Sequence, residues 1–138
     1  FIDEYVFASE NTHRGEIEAT SGVQKYPKNS NALKYCIDFC ESYPDKSNIR
    51  WGDIGPALVR DTIQKHNLSQ YIKSYKTFMP INWWDASEFF NPNHSFEITP
   101  EIYSIHLWND IWGSNNINKN KTYHPNSIYE QLKNWVRL

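Results

Sequence analysis

Prolines mark where helical patterns stop and start in this chain, and that punctuation keeps every element short. A helical pattern capped by Ser30 runs to about Glu41, with Leu33, Cys36, Ile37 and Cys40 on one face, and Pro44 closes it. Gly55-Pro56 opens the next helix, because Pro lacks the N–H that the first helical position would leave unpaired. Leu58, Val59, Thr62 and Ile63 form its expected buried stripe, and Asn67 suits its C-terminal end. Trp83 to Phe90 predicts a short helix stopped by Asn91-Pro92. Ser127-Ile128-Tyr129-Glu130 reads as a capping box opening a last helix, with Ile128, Leu132 and Trp135 inward.

Strands are expected at Tyr5 to Ser9, Ser21 to Tyr26 and Tyr103 to Trp108, and Phe78 to Ile81 reads as a strand entering a loop. Glu10 to Thr20 is a polar segment, and the Asn- and Lys-rich stretch Ser114 to Tyr123 is expected to be a mobile loop. No repeat or linker divides the pattern. One mixed α/β domain over residues 1–138 is the expectation.

A net charge of −2 gives no electrostatic case for nucleic acid or an anionic membrane surface as partner. No stretch is apolar and long enough to span a bilayer. Cys36 and Cys40 have no Cys or His pair at zinc-finger spacing, so they read as thiols buried on a helix face. Aromatic residues reach 16%, which suits either a core of large rings or a groove where rings stack on sugars.

Three segments hold residues suited to chemistry. In Trp51-Gly52-Asp53-Ile54-Gly55-Pro56, two glycines and a proline precede a helix whose free N–H groups suit an anion or a hydroxyl-rich ligand. The helix dipole would stabilise an ionised Asp53 there, although Asp53 also reads as a plain helix cap. In Tyr103-Ser104-Ile105-His106-Leu107-Trp108-Asn109, the imidazole suits a divalent metal or a diphosphate, and a hydrogen-bonded structural histidine is the simpler reading. Pro80-Ile81-Asn82-Trp83-Trp84 suits ring stacking on a sugar or anchoring in a core.

Taken in order, these segments resemble the C-terminal half of the DXD-containing α-glycosyltransferases, which include α-1,4-galactosyltransferases and yeast-type initiating α-1,6-mannosyltransferases. The resemblance rests on Tyr5-Val6-Phe7-Ala8-Ser9-Glu10, Ser21-Gly22-Val23-Gln24-Lys25-Tyr26-Pro27-Lys28, Trp51 through Leu58, and Ile105-His106-Leu107-Trp108-Asn109. It implies a GT-A type, Rossmann-like fold and a retaining transfer of a hexose from a nucleotide-sugar donor to a glycan or glycolipid acceptor. It also implies a divalent cation, usually manganese, held by an Asp-x-Asp motif.

No Asp-x-Asp occurs in this chain, its first residue is Phe1, and its one Met is Met79. The expectation is a piece of a longer protein, with the motif shortly before residue 1 and little activity in the piece alone. By the same resemblance His106 would be the third protein ligand to the metal, and Asp53 the acidic group beside the donor sugar. Ser21 and Gly22 stand where relatives often carry Asn-Gly near the sugar, and Gly52 and Gly55 join them as donor- or acceptor-binding residues. Trp108 and Asn109 would shape the diphosphate pocket. A cytoplasmic location is expected, at the inner face of a membrane if peripheral, and the competing reading is a carbohydrate-binding or scaffold domain without catalysis.

Overall fold

The computed structural model describes residues 2–135. Their contacts gather into two compact units, one through Met79 and one from Pro80 onward, where the sequence suggests a single undivided domain. Among the described residues, no helix is long and apolar enough to cross a membrane.

The first unit is built on an antiparallel hairpin, β1 (Val6–Asn11) and β2 (Ile17–Lys25). The strands are longer than their apolar runs, because the polar residues at their turn end also pair: Glu10 opposes Glu18 and Asn11 opposes Ile17. The turn closes through Thr12, whose carbonyl accepts the Gly15 N–H at 2.9 Å, with Gly15 at a φ of +75° that favours glycine. Register then breaks. Phe7 pairs with Gln24 and Ser9 with Ala19, so β1 advances two residues while β2 runs back five. The surplus on β2 is a bulge holding Thr20, Ser21, Gly22 and Val23, and bulges of this kind re-aim side chains beside sites.

Two helices follow. In α1 (Asn31–Ser42) the Ser30 hydroxyl accepts the Leu33 N–H at 3.1 Å, the expected cap. Its inward edge is Ala32, however, and Ile37 is exposed. Cys36 and Cys40 are half-buried rather than buried, and both are free thiols. In α2 (Pro56–Lys65) Leu58, Val59, Thr62 and Ile63 are the buried residues, as the 3.6-residue spacing predicts. Asn67 follows at a φ of +55°. A short helix, α3 (Tyr75–Phe78), replaces the strand expected near Phe78, and Pro80 cannot continue it. Phe78, Met79 and Ile81 are all buried, so the apolar run there reports burial and not extended pairing.

The core of this unit centres on Phe7, which is fully buried among Ala19, Ala32, Val59 and Ile63, with Tyr26 edge-on at 5.4 Å between ring centroids. Phe7→Ala is expected to cost about 3–5 kcal/mol, since it leaves a cavity that β1 and α2 cannot collapse into. Chemical denaturation of the chain checks this, and a loss under about 1 kcal/mol would mean the core is not built around that ring.

In the second unit a 3₁₀ segment, Trp83–Phe90, packs with α4 (Asn109–Ser114) and α5 (Ile128–Trp135). Its core joins Ile81, Ala86, Phe89, Trp112 and Ile128. The Trp112 indole N–H donates to the Ala86 carbonyl at 2.9 Å, which satisfies a polar group with 2% of its residue exposed. Residues 103–108 form no strand: the backbone there is irregular and lies outside the β1–β2 sheet. Ser127 accepts the Glu130 N–H at 3.4 Å, but the Glu130 carboxylate turns to the Tyr123 N–H and to Lys133, so the reciprocal half of the capping box is spent elsewhere. Ile128 is buried, whereas Trp135 is 63% exposed and does not face inward.

Candidate functional site

Asp53 lies in a turn whose geometry follows from its glycines. The Asp53 N–H bonds the Arg50 carbonyl at 3.2 Å, and Gly52, at a φ of +88°, holds the left-handed corner. Trp51 is carried at the same turn and is 94% exposed. The Gly52 carbonyl then accepts the N–H groups of Gly55 and Ala57, both at 3.1 Å. Pro56 has no N–H, so the helix mouth offers fewer donors to a ligand than the bare sequence suggests. Gly55, the residue before α2, has no side chain to cap it, and Asp53 does not cap the helix either.

The Asp53 carboxylate points instead toward α1. Its Oδ2 accepts the Tyr43 hydroxyl at 2.5 Å and the Arg50 Nε–H at 3.0 Å. The Tyr43 hydrogen bond, then the Arg50 bond, hold its pKa below the usual 3.8, so it is ionised at neutral pH. A cleft of about 400 Å³ opens beside it, lined by Phe39, Tyr43, Arg50, Asp53, Leu58 and Asp61, among others. Tyr43, Arg50 and Asp61 carry no motif in the sequence. The available signal was helical spacing: Ala57, Leu58 and Asp61 share one face of α2.

Ser21 and Gly55 are brought together. A methyl group at Gly55 would lie 3.5 Å from the Ser21 Oγ, so the β2 bulge rests against the start of α2. Gly22 is exposed in the same bulge.

His106, Trp108 and Asn109 belong to the second unit. Trp108 adopts φ 54° and ψ 39°, a left-handed conformation that is costly for a bulky side chain. Three bonds hold it: its indole N–H reaches the Ile81 carbonyl at 2.8 Å, its carbonyl accepts the Trp112 N–H at 3.1 Å, and its backbone N–H donates to His106 Nδ1 at 3.1 Å. The His106 and Trp108 rings lie 4.2 Å apart. His106 is otherwise open to solvent, and the partial burial against its neighbours pushes its pKa below 6.5. Asn109 is exposed and its Oδ1 accepts from Lys119 at 3.1 Å.

With Nδ1 accepting this N–H, a neutral His106 ring presents Nε2–H as a donor, and rotation of the ring would present a nitrogen lone pair instead. Among the described residues no three His, Cys, Asp or Glu side chains gather to hold a metal ion. By resemblance the remaining metal ligands would come from an Asp-x-Asp pair that these residues lack, and His106 stays a candidate for either a cation or a phosphate oxygen.

Residues 27–135 match the family model described as the alpha 1,4-glycosyltransferase conserved region. The chain belongs to this family. Membership makes it a glycosyltransferase-family chain with a role in glycosyl transfer, as the resemblance implied. The matched region of this glycosyltransferase begins after β2, so the likeness at Tyr5 to Glu10 and at Ser21 to Tyr26 lies outside it. Comparison with curated proteins and with solved structures gives no match.

Proposed function

We propose that this glycosyltransferase moves a hexose from a nucleotide-sugar donor to a glycan or glycolipid acceptor with retention of configuration. The observation that supports the reading most is the ionised Asp53, held by Tyr43 and Arg50 on the wall of a sugar-sized cleft. As the nucleoside diphosphate departs, positive charge grows at the anomeric carbon, and a fixed carboxylate stabilises it without reorganising. Retention proceeds either through a glycosyl ester on Asp53 or by same-face attack while Asp53 anchors a donor hydroxyl. Negative charge grows on the phosphate at the same time. His106, in the second unit, is assigned a separate role by resemblance, as a contact to a phosphate oxygen or to the cation.

The GT-A type fold and a peripheral place at the inner face of a membrane belong to the same proposal. The cation, manganese by resemblance, would be held by an Asp-x-Asp pair that these residues lack. Donor hydrolysis and transfer by the full-length protein, across a panel of nucleotide sugars with and without manganese, tests the reading. Turnover of at least one donor is expected; none in the presence of a glycan acceptor would leave carbohydrate binding as the better account.

A further inference from the structure

The cleft beside Asp53 has a second, similar arrangement at another point along α1. Tyr35, Phe39 and Tyr43 follow one another at four-residue spacing on that helix and its end, with ring centroids 6.5 Å and 6.2 Å apart. The two phenols each meet a carboxylate. Tyr43 donates to Asp53 Oδ2, and Tyr35 donates to Asp61 Oδ2, both at 2.5 Å. Phe39, Tyr43 and both aspartates line the cleft. Hydrogen bonding to the carboxylates raises the pKa of both phenols, so each stays a donor across the neutral range.

A pyranose has the complementary chemistry. Its hydroxyls donate to carboxylate oxygens that phenols leave uncovered, and its C–H face packs on an aromatic ring. We propose that this row is a hexose subsite, in which Asp53 and Asp61 each accept hydroxyls from one sugar lying against Phe39. The proposal rests on the reading that the cleft receives the donor's sugar, and it adds Asp61 as a second binding carboxylate, with Tyr35 and Tyr43 as positioning residues. The competing account is that the two phenol–carboxylate bonds only tie α1 to the following segment.

Saturation-transfer NMR on the chain with methyl α-glycosides of galactose, glucose and mannose separates these. Saturation of at least one hexoside is expected, with binding weakened about tenfold in both Asp61→Asn and Asp53→Asn, as loss of a charged hydrogen bond requires. Tyr35→Phe, which frees Asp61 without removing it, should weaken binding less than Asp61→Asn does. If no hexoside binds, or if Asp61→Asn and Tyr35→Phe lower the melting temperature alike while the hexoside signal stays unchanged, the subsite is wrong. The assay uses neither nucleotide nor cation. Intact hexoside binding without any transfer would therefore sink the catalytic reading and leave the subsite standing.

Discussion

Asp53→Asn in the full-length enzyme is expected to lower turnover by about 100-fold or more while the protein stays folded. Asparagine keeps the size of the side chain and an oxygen for Tyr43 and Arg50, so the clamp on Oδ2 can persist. What it removes is the negative charge, which serves as the nucleophile in one retaining route and as the anchor of a donor hydroxyl in the other. The pH dependence has a definite sign. Tyr43 and Arg50 depress the folded pKa of Asp53, so the stability it contributes is present above pH 3.8 and is lost as pH falls through the depressed value. Steady-state rates with thermal melts at neutral pH check the prediction. Turnover within about threefold of the parent would leave Asp53 a tether between the turn and α1.

His106→Ala is expected to raise the donor KM by about 10–100-fold, the worth of one hydrogen bond to a charged group, and to leave the manganese concentration for half-activity unchanged. His106→Gln should recover part of the loss, because an amide also donates. A metal ligand would behave differently: its loss would move the manganese requirement itself. Such a shift would show that the ring turns over on binding and gives up its bond from the Trp108 N–H. Acid should also cost stability at this residue. Burial depresses the folded pKa of His106, so its contribution to stability is complete above the ordinary 6.5 and declines as pH falls through the lower folded value.

Much of the local structure was legible because it depends on neighbours in sequence. Ser30 caps α1, Pro56 opens α2, and the buried stripe of α2 follows its spacing. The failures share one physical cause. Phe78 to Ile81 and Tyr103 to Trp108 have strand-like composition, but a strand needs a partner, and pairing is decided by remote chain. Ile37 and Trp135 were likewise placed inward by periodicity and lie exposed, since the width of a buried face depends on what packs there.

The candidate site divides along the same line. Gly52, Gly55 and Pro56 determine a turn-then-helix with Asp53 beside it, and the family resemblance was carried by such short-range motifs. Only the tertiary structure decided where that carboxylate points, that the Tyr43 phenol holds it with Arg50, and that Asp61 lines the same cleft. Backbone turns are written in consecutive residues. Hydrogen-bond partners ten or twenty-six residues apart are chosen by packing, and packing is a property of the folded chain.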